Sequence, residues 1–202
     1  MKTKIFLFIA VCLLSVSGMT AQSRPSDATG SRDRDTGSTY YYKETKTFYE
    51  NGYTYQCDVE NAHVTLYNKA NRFTYVKQTF KDGSPLSKEL FDGDVDVLED
   101  DTWTKPKCNS ILSSAFLVTR MGSGHRIFVT MYIDPNTGKV MEVDFWFDTN
   151  KEFGTVSISV YREIELALKN DVWFKPTAEG KKLNYIMRGW MHEVKGVKRA
   201  TR

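Results

Sequence analysis

The stretch RIFVTMYIDPNTGKVMEVDFWF, residues 126–147, decides the fold. Apolar and polar residues alternate along 126–133 and 139–147, and the segment DPNTG separates the two runs. Proline presets a turn and glycine supplies a positive φ, so the stretch predicts an antiparallel hairpin. One face of this hairpin would be wholly apolar, with Ile127, Val129, Met131, Ile133, Met141, Val143, Phe145 and Phe147. Such a face needs a covering layer.

Helical patterns on both sides of the hairpin can supply that layer. The first begins at about residue 105, and the second follows a possible Ser159 cap. In the second helix Tyr161, Ile164 and Leu168 repeat along one side, and its charged residues, Glu165 included, are expected to face water. A last strand over 181–191 would turn Leu183, Tyr185 and Met187 inward. Residues 105–197 therefore predict a helix, a hairpin, a helix and a strand.

Residues 40–104 are rich in strand signals. The segments TKTFY, YTYQCDV, AHVTLYN and RFTYVKQTF alternate, and Asn51-Gly52 between the first two is a strong hairpin signal. They predict a meander of four strands. The predicted fold class is therefore α+β, an antiparallel sheet with helices packed on one face and a β-meander in the N-terminal half.

The N-terminal residues 1–22 have the layout of a secretory signal peptide. Two lysines precede an apolar run, and small residues end at Ala21-Gln22. The run is too short to span a bilayer, which takes roughly 20 apolar residues. We therefore expect cleavage near Ala21-Gln22, no retained membrane span, and an exported protein that is periplasmic or extracellular. Residues 23–39 predict a disordered leader and residues 198–202 a basic tail.

The composition argues against nucleic acid as a partner. The chain has 28 Lys and Arg against 25 Asp and Glu, and its first 22 residues hold two of the basic residues and none of the acidic ones. The remainder is close to neutral, so no general affinity for nucleic acid is expected. No motif predicts a cofactor. The three histidines fall on unrelated segments, so no metal site is predicted.

Cys57 and Cys108 are the two cysteines that follow the predicted signal peptide. An even pair in an oxidising compartment is a disulfide candidate. The alternative is two separate buried thiols that pack as small apolar groups. No C-x-x-C redox motif is present.

An aromatic face is the candidate binding surface. If the alternation holds, the aromatic side chains that point away from the helices are Phe128, Tyr132, Trp146 and Trp190. Exposed, they would form a platform for a sugar ring or a peptide strand. Buried, they would form a floor on which the N-terminal β half packs, and burial is favoured because soluble monomers seldom leave so much apolar surface open.

The acidic tract over residues 92–101 offers a different chemistry. Asp92, Asp94 and Asp96 alternate as calcium ligands do, but Val97 stands where a calcium loop needs glycine. The same carboxylates could include a glycosidase pair. No spacing selects two of them, so no catalytic residue is assigned, and a solvated acidic loop is the expected reading.

The order of the elements in residues 105–195 resembles the C-terminal domain of TonB. The likeness rests on the hairpin HRIFVTMYIDPNTGKVMEVDFWF, the helix SVYREIELALKNDVWFKP, the turn EGKK and the strand LNYIMRGWM. It implies the TonB-like fold. TonB's energy-coupling role is not carried over, because the Tyr-Pro pair ahead of the first helix and the proline-rich spacer are missing here. The whole chain is also similar to small exported proteins of unknown function from Bacteroides-type bacteria.

Two functions follow from these observations. The first is an exported, non-enzymatic binding or scaffold protein that acts through a sheet edge or its aromatic face, with an envelope protein or glycan as partner. The second is an envelope hydrolase acting on glycan with acids from 92–101. Two carboxylates at the bottom of a cleft would favour the hydrolase.

Overall fold

The structure is a computed structural model that describes residues 31–32, 39–117, 119 and 124–194. The predicted signal peptide, most of the predicted leader and the predicted basic tail lie outside the described residues. The strands are β1 (Ser31–Arg32), β2 (Thr39–Tyr40), β3 (Lys46–Glu50), β4 (Tyr53–Glu60), β5 (His63–Asn68), β6 (Arg126–Ile133), β7 (Val140–Asp148) and β8 (Ile186–Glu193). The helices are α1 (Lys88–Phe91), α2 (Thr104–Leu117) and α3 (Ile158–Asp171), with short 3-10 turns at Glu152–Thr155 and Gly180–Lys182.

Six of the strands form one antiparallel sheet in the order β3-β4-β5-β7-β6-β8. The β6–β7 hairpin is the one that residues 126–147 predict. Strand β5 connects the two halves of the chain, because it pairs with β7 from His63 opposite Asp148 to Tyr67 opposite Asp144. The N-terminal strands therefore extend the sheet edge to edge and do not pack on its aromatic face. The α+β class is confirmed.

The longer helices α2 and α3 form the layer on one face of the sheet. Tyr161, Ile164 and Leu168 of α3 are buried, as their spacing predicts. The Tyr161 ring stacks against Phe147 of β7 with centroids 5.4 Å apart. Burying one such large apolar side chain stabilises the fold by about 1.5–3 kcal/mol. Across the described residues, we find no helix with the length and apolar character that a membrane crossing requires.

Glu165 departs from the expectation that the charged residues of α3 face water. Its side chain is 1% exposed. The hydroxyl of Tyr55 on β4 donates a hydrogen bond to it, and the Asn68 amide on β5 lies 3.4 Å from its second oxygen. Glu165 therefore lies on the buried side of α3, because two polar side chains of the sheet offer it donors.

The predicted fourth strand, RFTYVKQTF, is wrong. Residues 69–78, called the strap below, cross over the sheet without pairing in it, and only Thr79 and Phe80 make isolated bridges, to Pro85 and Leu183. The alternation of aromatic residues that suggested a strand has another cause. Phe73 stacks over Tyr132, and Tyr75 donates a hydrogen bond to Asp58, so the strap places alternate residues on the sheet surface.

The last strand has the opposite facing from the one predicted. Strand β8 begins at Ile186, which pairs with Ile133 on the helix side, whereas Met187 is 53% exposed. Tyr185 is buried as expected, but under the strap, where its hydroxyl bonds to the Val76 carbonyl. The burial of Tyr185 is therefore no sign that its side chain faces the helices. The side chains that face the helices are those of the even-numbered residues of β8.

Candidate functional site

The face of the sheet opposite α2 and α3, called the open face, holds the candidate site. Strand register places five residues in one row across it, each a cross-strand neighbour of the next. In order across the sheet they are Asp58, Thr65, Trp146, Phe128 and Met191. Because residues paired in this way lie about 5 Å apart, the row spans roughly 20 Å.

Trp146 lies at the middle of the row. Its side chain is 42% exposed, although Phe145 and Phe147 on either side of it are buried against the helices. The indole stacks on the imidazole of His63 with ring centroids 4.4 Å apart. His63 Nδ1 in turn lies 2.8 Å from Asp148 Oδ1. The indole is thus held in place by its neighbours while still presenting surface to a ligand.

Phe128 extends the aromatic surface toward the β8 edge. The neighbouring strand has glycine at residue 189, where an added Cβ would lie 2.4 Å from Phe128 Cζ. The phenyl ring therefore lies over bare backbone, and Gly189 is required for that close approach. Beyond it, Met191 is 58% exposed.

Asp58 supplies a carboxylate at the other end of the row. Tyr75 Oη and Tyr67 Oη donate to its Oδ2 at 2.7 and 2.9 Å, and Gln56 Nε2 donates to its Oδ1 at 2.8 Å. Burial opposes ionisation of Asp58, but these hydrogen bonds outweigh it and hold its pKa below the usual value. The residue is therefore an ionised acceptor at neutral pH.

The strap covers the remaining part of the open face. Glu142 Oε2 accepts the backbone amides of Arg72 and Phe73, each at 2.9 Å, and so pins the strap to β7. The Phe73 ring lies 6.2 Å from that of Tyr132 and 4.7 Å from that of Tyr185. Tyr132 is consequently 3% exposed and cannot meet a ligand without movement of the strap.

Asp144 is a second buried carboxylate beneath this cover. Burial is the largest influence and raises its pKa, and hydrogen bonds from Tyr132 and Thr130 offset that only in part. The Tyr132 hydroxyl lies 2.6 Å from Asp144 Oδ2. Glu142 and Asp144 are 6% and 5% exposed, so Glu142 holds the strap, Asp144 holds Tyr132 of β6, and the two acids do not form the floor of a cleft.

The structure brings together three of the four predicted aromatic residues. Phe128, Tyr132 and Trp146 share the open face. Trp190 does not, because it pairs with Val129 and therefore packs on the helix side, partly buried against the core. The prediction for Trp190 is wrong for the reason given above, the reversed facing of β8.

The sequence interpretation missed His63, Asp58 and Met191. His63 and Asp58 reach Trp146 only through the β5–β7 pairing, which joins residues some 80 positions apart. No local pattern announces such a pairing. Met191 is the neighbour of Trp190 in β8, and neighbouring residues of a strand face opposite sides of the sheet. With the facing of β8 assigned correctly, the sequence would therefore have placed Met191 on the open face.

Cys57 and Cys108 are free, buried thiols in the structure, so the two-thiol alternative describes them and the predicted bridge is not formed. Their surroundings differ. Cys57 Sγ lies 3.7 Å from the Glu44 carbonyl at the β4 end of the sheet, whereas Cys108 on α2 is near Asp101 and Arg188 beside β8. Burial raises the pKa of the Cys57 thiol to about 12 and that of Cys108 to about 11, which makes both poor nucleophiles.

The acidic tract lines a cavity of about 390 Å³ next to the start of β8. Asp101 is engaged by Arg188 at 2.6 Å, and Asp100 accepts the backbone amide of Thr102. Within the described part of the chain, no group of three or more His, Cys, Asp or Glu side chains is arranged to hold a metal ion. The tract, as far as the structure describes it, therefore offers no assembled calcium loop.

Comparison with known proteins places the chain in a family. A family model described as a domain of unknown function, DUF5043, matches residues 38–190. The crystal structure of a DUF5043 family protein from Bacteroides uniformis, at 1.85 Å resolution, is similar with a TM-score of 0.69 and 42% identity over 79% of this chain and 96% of that one. No curated protein matches. The family model spans both halves of the six-stranded sheet, and the chain belongs to the DUF5043 family.

Proposed function

We propose that this chain is an exported, non-enzymatic binding protein and that its open face binds a glycan. The observation that carries the proposal is Trp146, which is 42% exposed in the centre of the sheet and is held there by His63. Trp146 is also continuous with half-buried Phe128 and exposed Met191 in the row, and a contiguous exposed apolar patch marks a binding site.

A glycan suits this surface better than a wholly apolar ligand. The flat side of a sugar ring packs on an aromatic ring, and its hydroxyl groups need polar partners nearby. The row supplies both, because Trp146 and Phe128 provide aromatic surface and the Asp58 carboxylate lies at the end of the same row. Thr65, between Asp58 and Trp146, adds a hydroxyl.

Glycan array binding followed by calorimetry tests the proposal. Protein expressed from the full sequence is expected to retain a defined class of glycan. The Trp146→Ala variant should weaken that binding at least tenfold, which corresponds to about 1.4 kcal/mol. The matched control is Trp173→Ala, since Trp173 is 52% exposed but lies outside the row. No glycan binding by the wild-type protein, or an equal loss in both variants, would contradict the proposal.

The same assay separates the second hypothesis. The cavity beside Asp96, Glu99 and Asp101 is the place where an envelope hydrolase would hold its substrate. Release of new reducing ends from a bound glycan, abolished by substitution of those acids and not by Trp146→Ala, would favour the hydrolase.

Export and the TonB-like fold of the second half belong to the same proposal. Export predicts a mature N-terminus near Gln22, which the mass of the protein from its native host can check. The chain order α2, β6, β7, α3, β8 supports the likeness to the TonB C-terminal domain. Energy coupling is not proposed, because a shared fold does not transfer an activity.

A further inference from the structure

Strand β8 is an edge of the sheet, and in the part of the chain that the structure describes no strand lies on its outer side. The amide of Val194 donates to the His125 carbonyl. Hydrogen-bonded and non-hydrogen-bonded pairs alternate in an antiparallel ladder, so the backbone N–H and C=O groups of the even-numbered residues of β8 point toward β6. The backbone groups of Met187, Gly189 and Met191 then point outward. Both methionine side chains are more than half exposed.

The sequence of β8 lacks the residues that usually prevent an edge strand from pairing with another strand, although the acidic tract lies near its start, beside Met187 and Arg188. Protected edge strands are short, carry lysine, proline or a bulge, or are covered by a helix or loop. Strand β8 has eight residues and contains no lysine, proline or bulge. Its charged residues are engaged, since Arg188 binds Asp101 at 2.6 Å and Glu193 binds Arg126 at 2.9 Å. The opposite edge, β3, is five residues long and begins with Lys46.

We infer that β8 pairs with β8 of a second copy of this chain, antiparallel about a two-fold axis at Gly189, so that the two sheets become one. In this register Met187 lies opposite Met191 of the second copy, and Met191 lies opposite Met187 of the second copy. A two-fold interface needs this self-complementarity, because each residue must fit its counterpart in both directions. The inference does not depend on glycan binding.

The register follows from the facing of the side chains. The helices of both copies lie on the same side of the joined sheet only if each β8 residue that faces the helices is opposite a β8 residue of the second copy that also faces the helices. With Gly189 on the axis, Arg188 lies opposite half-buried Trp190 of the second copy, an arrangement that permits a cation–π contact. An axis at Arg188 would oppose like charges, and an axis at Trp190 would place Met187 opposite Glu193. The register centred on Gly189 avoids both.

Light scattering after gel filtration measures the oligomeric state. Protein expressed from the full sequence is expected to be a dimer at micromolar concentration. The double variant Met187→Lys and Met191→Lys should be a monomer with unchanged circular dichroism, because it places lysine opposite lysine across the axis. Tyr49→Lys is the matched control, since Tyr49 is a 71% exposed residue of the other edge strand and should leave the dimer intact. A monomeric wild type, or a dimer that persists in the double variant, would overturn the inference.

Cysteine crosslinking tests the register independently. Residues opposite each other in such a pair have Cα atoms about 5.5 Å apart, within disulfide range. Met187→Cys mixed with Met191→Cys should give a crosslinked dimer under mild oxidation. Either variant alone should not, because its twin lies four residues along the strand, roughly 13 Å away. The buried thiols of Cys57 and Cys108 should not compete. Crosslinking of either variant alone, or no crosslink in the mixture, would contradict the register.

Discussion

Glu165 lies between α3 and the sheet, where its two oxygens meet Tyr55 and Asn68. Replacement by alanine would leave a buried hydroxyl and a buried amide without their acceptor. We predict that Glu165→Ala lowers the free energy of unfolding by about 2–4 kcal/mol, measured by urea denaturation. Glu163→Ala is the control, because Glu163 is exposed on the same helix and should change stability by less than about 0.5 kcal/mol. Equal effects of the two substitutions would show that the buried hydrogen bonds do not stabilise the fold.

The ionised carboxylate of Asp144, unlike the side chain of Glu165, should lower the stability of the fold at neutral pH. Its pKa is raised by burial, so the folded state favours the protonated form. As pH rises above about 4, the ordinary value for aspartate, the unfolded chain ionises first and stability is lost. Asparagine keeps an acceptor for the Tyr132 hydroxyl without the charge.

We therefore predict that Asp144→Asn is at least as stable as the wild type at pH 7, and that this advantage disappears as pH falls below about 4. Urea denaturation at a series of pH values measures it. A variant that is less stable than the wild type at neutral pH and gains on it toward acid would mean that the ionised carboxylate is the stabilising form.

At the scale of the elements, the turn between β6 and β7 depends on one residue. Gly138 has φ of +73°, and an added Cβ would lie 1.8 Å from the Phe174 carbonyl oxygen, whose own amide donates to the Gly138 carbonyl. Gly83 also has positive φ, +85°, but no atom lies within 4 Å of its added Cβ. Substitution of Gly83 would cause backbone strain alone, whereas substitution of Gly138 would cause backbone strain and a steric clash.

Gly138→Ala is therefore expected to cost about 3 kcal/mol or more, and Gly83→Ala about 1 kcal/mol. Thermal unfolding of both variants checks this difference. Comparable losses would mean that the segment containing Phe174 can move away from the turn without cost.

The sequence predicts elements well where the pattern is local. The 126–147 hairpin, the Asn51-Gly52 turn and the buried side of α3 are confirmed. The errors arise where tertiary contacts imitate a local pattern. The strap alternates because Phe73 and Tyr75 rest on the sheet, and Tyr185 is buried by the strap and not by a helix. Of the site, the aromatic residues of the hairpin were predictable, whereas His63 and Asp58 required the pairing of β5 with β7.

At the scale of the whole molecule, the β5–β7 pairing makes the two halves depend on each other. Val64 and Leu66 of β5 are fully buried beside Phe147 and Phe145. Without them, β7 would expose an apolar strand edge and α3 would lose the partners of Glu165. We predict that residues 101–202 expressed alone do not fold, although this fragment contains the whole predicted TonB-like region.

Nuclear magnetic resonance of the fragment, alone and mixed with residues 1–100, measures this dependence. Dispersed amide signals should arise only in the mixture. A fragment that folds alone would instead support an independent C-terminal domain, with the boundary predicted near residue 104.

Because of the same pairing, one edge of β5 has no partner strand until β7 has been synthesised. When β3, β4 and β5 leave the ribosome, the partner of β5 lies about 70 residues further along the chain. At the usual elongation rate of about 5–20 residues per second, β5 waits roughly 4–14 s with an unpaired edge. Such high contact order slows folding and lengthens the exposure of that edge to other nascent chains. The segment that contains β3, β4 and β5 is therefore the one for which a chaperone would matter most.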